Sequence, residues 1–411
     1  MLAVLAFTAC SNDSDEATGN DNHIWHVSLT ASMGDATNRA LSAVGENIAA
    51  SFAVDDEVVV VDADGSTVVG TLKALTAGGS TTLSGELSNT SLAADEVVSL
   101  HYLSATPNYD GQKGTLEEIS SYAVGTLKVK TKSPLTFESN SVSLAPQQSI
   151  TKFTFKDGSS DISVKTFGIA APGLVQKGTA TVGAVTGTLA TPSADVYVAL
   201  RNTSSSQQTY SFYIQDNTGN WYTGTKKATL TNGKNYTATV SMTKLANLTS
   251  PYTEGTVGVI DGLPAIVISG NKAVALMNVG ALCPEAYGTY YTYENRASGL
   301  TGAWYVPSDT ELLSLKTSYT NNAWEAQNGV YGNRYTIGSN TLFLPAAGFY
   351  DNTPPPSVLL SVTSFGYYWS ATNYDDDEAY SLKFSSSVNN KYGEYKTNGL
   401  SVRPFHALPT E

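Results

Sequence analysis

Alternation is the feature that narrows the choice of fold. From 24 to 32 the chain reads Ile-Trp-His-Val-Ser-Leu-Thr-Ala-Ser, so Trp25, Val27, Leu29 and Ala31 alternate with His26, Ser28, Thr30 and Ser32. Successive side chains of a strand point to opposite faces, so a period of two marks a strand with one apolar, inward face. Strands are predicted next at 57–62, 67–72, 81–86 and 96–103, with Asp64-Gly65 as a hairpin turn between two of them. More are predicted at 151–155, 162–169, 196–200, 211–215 and 234–242, the first ended by Asp157-Gly158. Val196, Val198 and Leu200 share one face, as do Tyr236, Ala238, Val240 and Met242. Short strands separated by Gly, Asn and Asp predict β-sandwiches.

The chain has 411 residues, room for about three domains of ordinary size. Two sandwiches are expected over 23–142 and 143–246, then a linker at 247–255 containing Ser250-Pro251, then a terminal domain over 256–411. Hydrophobic residues make up 41% of the chain, enough for real cores, and charged residues only 14%. The net charge of −13 repels phosphate backbones and argues against a nucleic-acid partner.

The terminal region carries four apolar and aromatic blocks: Trp304-Tyr305-Val306-Pro307-Ser308-Asp309-Thr310-Glu311-Leu312-Leu313, Leu342-Phe343-Leu344-Pro345-Ala346-Ala347-Gly348, Tyr367-Tyr368-Trp369-Ser370-Ala371-Thr372, and Gly399-Leu400-Ser401-Val402-Arg403-Pro404-Phe405. Trp304, Phe343, Leu344, Trp369 and Phe405 are expected in its core. Strands are predicted at 262–268 and 272–277. Ser308 with Glu311 forms a capping box, and Leu312, Leu313 and Leu315 give an apolar face, so a helix is predicted from about Asp309 to Ser318.

At the other end, residues 1–9 are apolar and Phe7-Thr8-Ala9 precedes Cys10, the pattern of a lipobox. The run is too short for a membrane span, which takes about 20 residues. The expected outcome is a lipoprotein cut before Cys10 and acylated there, with a polar, acidic tether to residue 22. The lipid would anchor the chain to the outer membrane before any later processing. Acylation of Cys10 leaves Cys283 without a disulfide partner, and a cysteine before Pro284 reads as a packed thiol.

Particular segments carry two family resemblances. The segment Thr37-Asn38-Arg39-Ala40-Leu41, with Tyr109-Asp110-Gly111-Gln112-Lys113-Gly114-Thr115-Leu116 and Thr229-Leu230-Thr231-Asn232-Gly233-Lys234-Asn235-Tyr236, resembles the fimbrillin superfamily of Bacteroidetes pilins over about 24–245. The acidic run Ser11-Asn12-Asp13-Ser14-Asp15-Glu16 resembles the surface-export signal of lipoproteins from the same bacteria. The fimbrillin resemblance implies two transthyretin-like β-sandwiches and cutting after Arg39 by an arginine-specific protease. Ala40 would become the new N-terminus. The strand bearing Trp25, Val27 and Leu29 would leave, and a strand from a neighbouring subunit would fill the groove. The four terminal blocks resemble the Fibrobacter major paralogous domain and its DUF1566 relatives, which implies an α+β, C-type-lectin-like fold over about 255–406. The whole chain is therefore expected to be mainly β.

Calcium-dependent lectins of that fold need Glu-Pro-Asn or Gln-Pro-Asp and Trp-Asn-Asp segments, and neither occurs here. The oxygen-rich stretch is Asn373-Tyr374-Asp375-Asp376-Asp377-Glu378, and calcium there is an option rather than a requirement. The candidate ligand-binding loops carry Tyr291, Tyr293, Tyr331, Tyr335, Tyr350, Tyr374, Asp375 and Asp377. Tyrosine offers flat apolar area with a hydroxyl at low entropy cost, which suits glycan or protein surfaces. No nucleophile elbow or phosphate loop is present, so no enzymatic activity is expected. His26, on the polar face of its strand, does not make a zinc site with His23.

The reading that emerges is a minor fimbrial subunit at the tip, an adhesin accepting a strand from another fimbrillin and binding a host or microbial surface. The chain closes within a few residues of Phe405, leaving no evident strand to donate, which supports the expected tip position. The alternative is a non-fimbrial, lipid-anchored surface protein that binds glycan or protein.

Overall fold

The computed structural model describes residues 24–33, 43–44, 47–48, 51–88, 92–178, 183–319, 322–352 and 358–409. Cys10, Arg39 and Ala40 lie outside them. The mainly β class holds: the described residues form strands throughout, with one α-helix, Asp309–Ser318.

The first sheet has eight strands. Its N-terminal strand, Ile24–Met33, runs antiparallel to Ser80–Ser88 over nine residue pairs, from Ile24↔Ser88 to Ser32↔Ser80. On its other flank it runs parallel to Ser141–Pro146 over four pairs, from Thr30↔Ser141 to Met33↔Leu144. Ser141–Pro146 also pairs with Ala123–Thr131 through Ala145↔Val124 and Pro146↔Ala123. The ladder therefore closes on itself and the N-terminal strand lies inside the closure. The alternation in its sequence is its burial pattern, with Trp25, Val27, Leu29 and Ala31 packed among Leu83, Leu87, Val142 and Leu144. The strands 123–131 and 141–146 are additions to the sequence reading. In the first of these the outward Val124 and inward Gly125 blur the alternation that Leu127-Lys128-Val129-Lys130 keeps.

The second sheet repeats the parallel pairing of its first and last strands but, among the described residues, does not close. Its first strand, Ser149–Asp157, lies antiparallel to Asp195–Leu200 and parallel to its last strand, Asn235–Lys244, here over eight pairs. Phe153 and Phe155 meet Phe212 edge-to-face at 5.2 and 5.5 Å. Tyr109, Leu116, Ile119 and Tyr122 also pack into this second core, although they precede the expected change of domain at 142. Polar side chains hold them there. Asp110 Oδ1 accepts from the Thr186 N–H and hydroxyl at 2.8 and 2.7 Å. The Gln112 amide donates to the Ala199 carbonyl and accepts from the Ala199 N–H, both at 2.8 Å. The Tyr-Asp-Gly-Gln segment is thus a clamp from the first sheet onto the second.

The terminal region contains a five-stranded sheet in the order Val257–Ile260, Leu263–Ile268, Lys272–Ala275, Phe405–Ala407, Trp304–Tyr305. The blocks at its two ends in sequence meet here, Tyr305 opposite Phe405. The helix begins as its sequence dictates. Ser308 Oγ accepts from the Glu311 N–H at 3.2 Å, and Glu311 Oε2 accepts from the Ser308 N–H at 2.8 Å, while Leu312 and Leu315 are buried. The expected core residues Trp304, Phe343, Leu344, Trp369 and Phe405 are all buried.

The second sheet and the terminal region share a close joint. Trp221 donates through Nε1 to the Gly262 carbonyl at 2.9 Å and joins the core of the helix. A side chain at Gly168 would place its Cβ 2.5 Å from the Leu282 carbonyl oxygen, so only glycine lets the two backbones approach. Cys283 is the buried thiol foreseen, packed against Ala170, Ala184 and Ala286.

Arg403 is fully buried in the terminal region. Its guanidinium donates to the Ala275 carbonyl at 2.9 Å and the Phe343 carbonyl at 3.1 Å, bridging two sheets. Arg403→Ala should destabilise the terminal region by about 3–5 kcal/mol, since two buried carbonyls lose their donor. A urea titration of variant and parent would measure the loss, and a cost below about 1 kcal/mol would show that the guanidinium does not tie the sheets.

Candidate functional site

Two places have the geometry to engage another molecule. The first is the slot filled by Ile24–Met33. Trp25, Val27 and Leu29 are 4%, 7% and 4% exposed on its inner face. Outward, His26 lies 3.4 Å from Glu86, and both side chains are largely in solvent. Among the described residues the strand precedes every other strand of its sheet, and Arg39 falls by sequence in the connection after Met33. Its parallel flank carries four pairs where the corresponding strand of the second sheet carries eight. Emptying the slot would expose three large side-chain sites at roughly 1.5–3 kcal/mol each and open backbone groups on both neighbours.

The second is a cleft of about 710 Å³ around the edge strand Asn389–Tyr395 of a three-stranded antiparallel sheet. The other strands are Gly366–Asn373 and Glu378–Phe384. The pairings Tyr367↔Lys383, Ser381↔Tyr392 and Ala379↔Glu394 bring Tyr367, Lys383, Tyr392 and Glu394 to one face. The Lys383 ammonium lies 4.3, 5.0 and 5.4 Å from the ring centres of Tyr392, Tyr367 and Phe365, within cation–π range. Phe349 packs on Tyr367 at 4.8 Å. Tyr392 is 54% exposed, while Glu394 and Asn398 are buried at the floor. Asn398 Oδ1 has no hydrogen-bond partner among the described residues. Across the edge, Tyr374 and Tyr380 pack at 5.0 Å, with the Lys391 ammonium 4.4 Å from the Tyr380 ring.

Of the residues expected from sequence, Tyr374 lines this cleft. Tyr331 is exposed but lies on the strand Val330–Ile337, stacked on Trp324. Tyr350 is half-buried, edge-on to Tyr290 at 5.0 Å. Tyr291 is half-buried, bridged to Leu400, with its carbonyl accepting from Trp369 Nε1 at 2.7 Å. Two rings require correction. Tyr335 faces inward from its strand and is fully buried in the core. Tyr293 is buried against Trp369, and its hydroxyl donates to the Ala371 carbonyl at 2.8 Å. Neither offers surface to a ligand. Sequence reasoning missed Tyr367, Lys383, Tyr392 and Glu394. Only Tyr392 carried a signal, the aromatic and charged run Lys391-Tyr392-Gly393-Glu394-Tyr395; the other three carried none.

Asp375 and Asp377 are exposed. Asp375 Oδ1 accepts from the N–H groups of Asp377 and Glu378 at 2.9 and 2.7 Å, which shapes the turn. The Lys396 ammonium donates to the Asp375 and Asp376 carbonyls at 2.7 and 2.8 Å, so a cation already sits behind this loop. No group of three or more His, Cys, Asp or Glu side chains placed to hold a metal ion occurs among the described residues.

Two measurements test this electrostatic account. Millimolar calcium or a chelator should leave the melting temperature unchanged, and a calcium-dependent rise would place an ion in the loop after all. The second concerns Glu394. Burial pushes its carboxyl up to about 7, with Glu378 and Asp351 adding to the rise and Lys383 and Asn398 opposing it. Between about pH 4.5 and about 7 the folded chain keeps a proton that the unfolded chain releases, so this group makes stability fall as pH rises through that window. Glu394→Gln should match the parent below the window and exceed it above by about 1–2 kcal/mol, allowing for partial solvent screening. A pH-independent difference in denaturant midpoint would contradict this.

Residues 324–405 match a family model described as a domain of unknown function, DUF8237. No curated protein matches the chain. Among solved structures, a fimbrial assembly protein from Parabacteroides distasonis shares 14% identity, with 62% of this chain and 96% of that chain covered, at a TM-score of 0.28. A candidate cell adhesion protein from Bacteroides ovatus shares 16% identity over 53% of this chain and 95% of that one, also at 0.28. The tip fimbrial protein Mfa3 from Porphyromonas gingivalis, with a C-terminal truncation, shares 10% identity over 49% and 81%, at 0.25. At these identities and TM-scores the similarity establishes neither a common family nor a common activity.

Proposed function

We propose that this chain is a surface lipoprotein of the fimbrillin type, acting as a minor tip subunit of a fimbria. Lipid at Cys10 carries it to the outer membrane. Cutting after Arg39 frees the strand 24–33, and the emptied slot accepts a strand from a neighbouring fimbrillin. The terminal region, 256–411, is then the adhesive end, facing a glycan or protein on another cell. The two sandwiches, 23–142 and 143–246, act as the stalk.

The observation that carries this reading is the placement of Ile24–Met33. It completes a closed ladder, fills a core with alternate apolar residues, and comes before every other described strand of its sheet. A strand so placed can be exchanged for another of the same pattern with all backbone pairing restored. The second reading, a surface-anchored lipoprotein outside any fimbria, draws on the same closed ladder kept intact.

The two part on processing. Mass and N-terminal sequence would be determined for protein recovered from sheared fimbriae and from membranes of its native cells. Chains starting at Ala40 in the sheared fraction are the expected result. Chains all starting at acylated Cys10 and staying with the membrane would sink the fimbrial reading in favour of the anchored one. In vitro, protein cut after Arg39 should bind a synthetic peptide of residues 24–33, and a peptide with Val27 and Leu29 both changed to Asp should bind at least about tenfold more weakly.

A further inference from the structure

The cleft around Asn389–Tyr395 has a chemistry of its own, and its role as a ligand site rests on the reading of the terminal region as the binding end. Three features narrow the ligand. The first is the aromatic wall, with Tyr392 open to solvent beside Phe365 and Tyr367. Such a wall takes flat, weakly polar faces. The second is its charge. Lys383 occupies the cation-binding position of those rings, so a cationic ligand finds the position filled. Asp351 and Glu378 line the same cleft and oppose an anionic one. The third is the floor. Asn398 is 3% exposed and its Oδ1 is unpartnered among the described residues, a buried acceptor beside a buried carboxylate. A buried acceptor left unmatched costs free energy unless a donor reaches it.

A neutral polyol ring fits all three. Its C–H face packs on a tyrosine, while each hydroxyl can accept from an ammonium and donate to a carboxylate or amide oxygen. The cleft volume of about 710 Å³ falls in the range of small-ligand sites. We propose that this cleft binds a neutral pyranose unit of a surface glycan without a metal ion, with Tyr392 as the stacking platform and Lys383, Glu394 and Asn398 as the hydroxyl-binding groups. The site is separate from the acidic loop at Asp375 and Asp377, where Asp375 is engaged in the turn.

The test uses the full chain on an array of neutral, sialylated and sulfated oligosaccharides, in chelator, beside adhesion of the same protein to whole cells. Capture by neutral oligosaccharides is expected, reduced at least about tenfold by Tyr392→Ala, whose exposed ring can be removed without opening a core. Lys383→Met keeps the stem and removes the donor, and it should weaken capture as well. Melting curves of both variants should overlay the parent. Preference for charged glycans, or neutral capture untouched by both substitutions, overturns the proposal. Adhesion to cells with no oligosaccharide captured overturns the ligand class while the adhesive reading stands. Failure of both overturns the two together.

Discussion

The ladder that closes the first sheet is the constraint on which the rest of the architecture hangs. Parallel neighbours cannot be joined by a tight hairpin. Ile24–Met33 and Ser141–Pro146 can therefore pair only after the chain between them has crossed the whole sheet. Once they do, Ser141–Pro146 reaches Ala123–Thr131 and the exposed edges between them disappear. The apolar side chains of one short segment thus serve a core assembled from residues far along the chain. The second sheet also pairs its first and last strands in parallel, Ser149–Asp157 with Asn235–Lys244, but there over eight pairs. The two sheets share this pairing and are unequal in its length.

The second sheet is bonded to its neighbours on both sides. The Tyr109–Gln112 clamp reaches back to it from the first sheet, and the terminal region seals against its other side. Glu285 sits fully inside this joint. Its Oε1 accepts from Gln327 and Asn328 at 2.8 and 2.7 Å, and burial raises its carboxyl above the usual range. Asn328 also donates to Ser211 at 3.3 Å, so one asparagine bridges the terminal region and the second sheet. A buried polar network of this kind fixes geometry more than it adds stability. It fixes the terminal region against the second sheet.

Much of this was legible from residue patterns. The first strand, the capped helix and the core aromatics of the terminal blocks obey local rules: alternation, a Ser–Glu capping box, and apolar runs bounded by Gly and Pro. The candidate site was less so. Tyr335 and Tyr374 look alike in sequence, yet one sits on the inward face of its strand and the other just past a strand end, open to the cleft. Lys383 and Glu394 gave no signal as isolated charges. They matter only because Tyr367, Ser381 and Ala379 set the register that brings them to one face.

Local residue order was enough to fix that this chain is built of half-buried strands, that its first strand carries one apolar face, and where its helix starts. Each depends on the chemistry of neighbours a few residues apart. Only the tertiary structure decided that the first strand closes a ring, that the Tyr-Asp-Gly-Gln segment belongs to the second core, and that an aromatic, charged cleft forms at the edge of the terminal sheet. Those outcomes depend on pairings between segments tens to hundreds of residues apart, and strand register carries no local mark in the sequence.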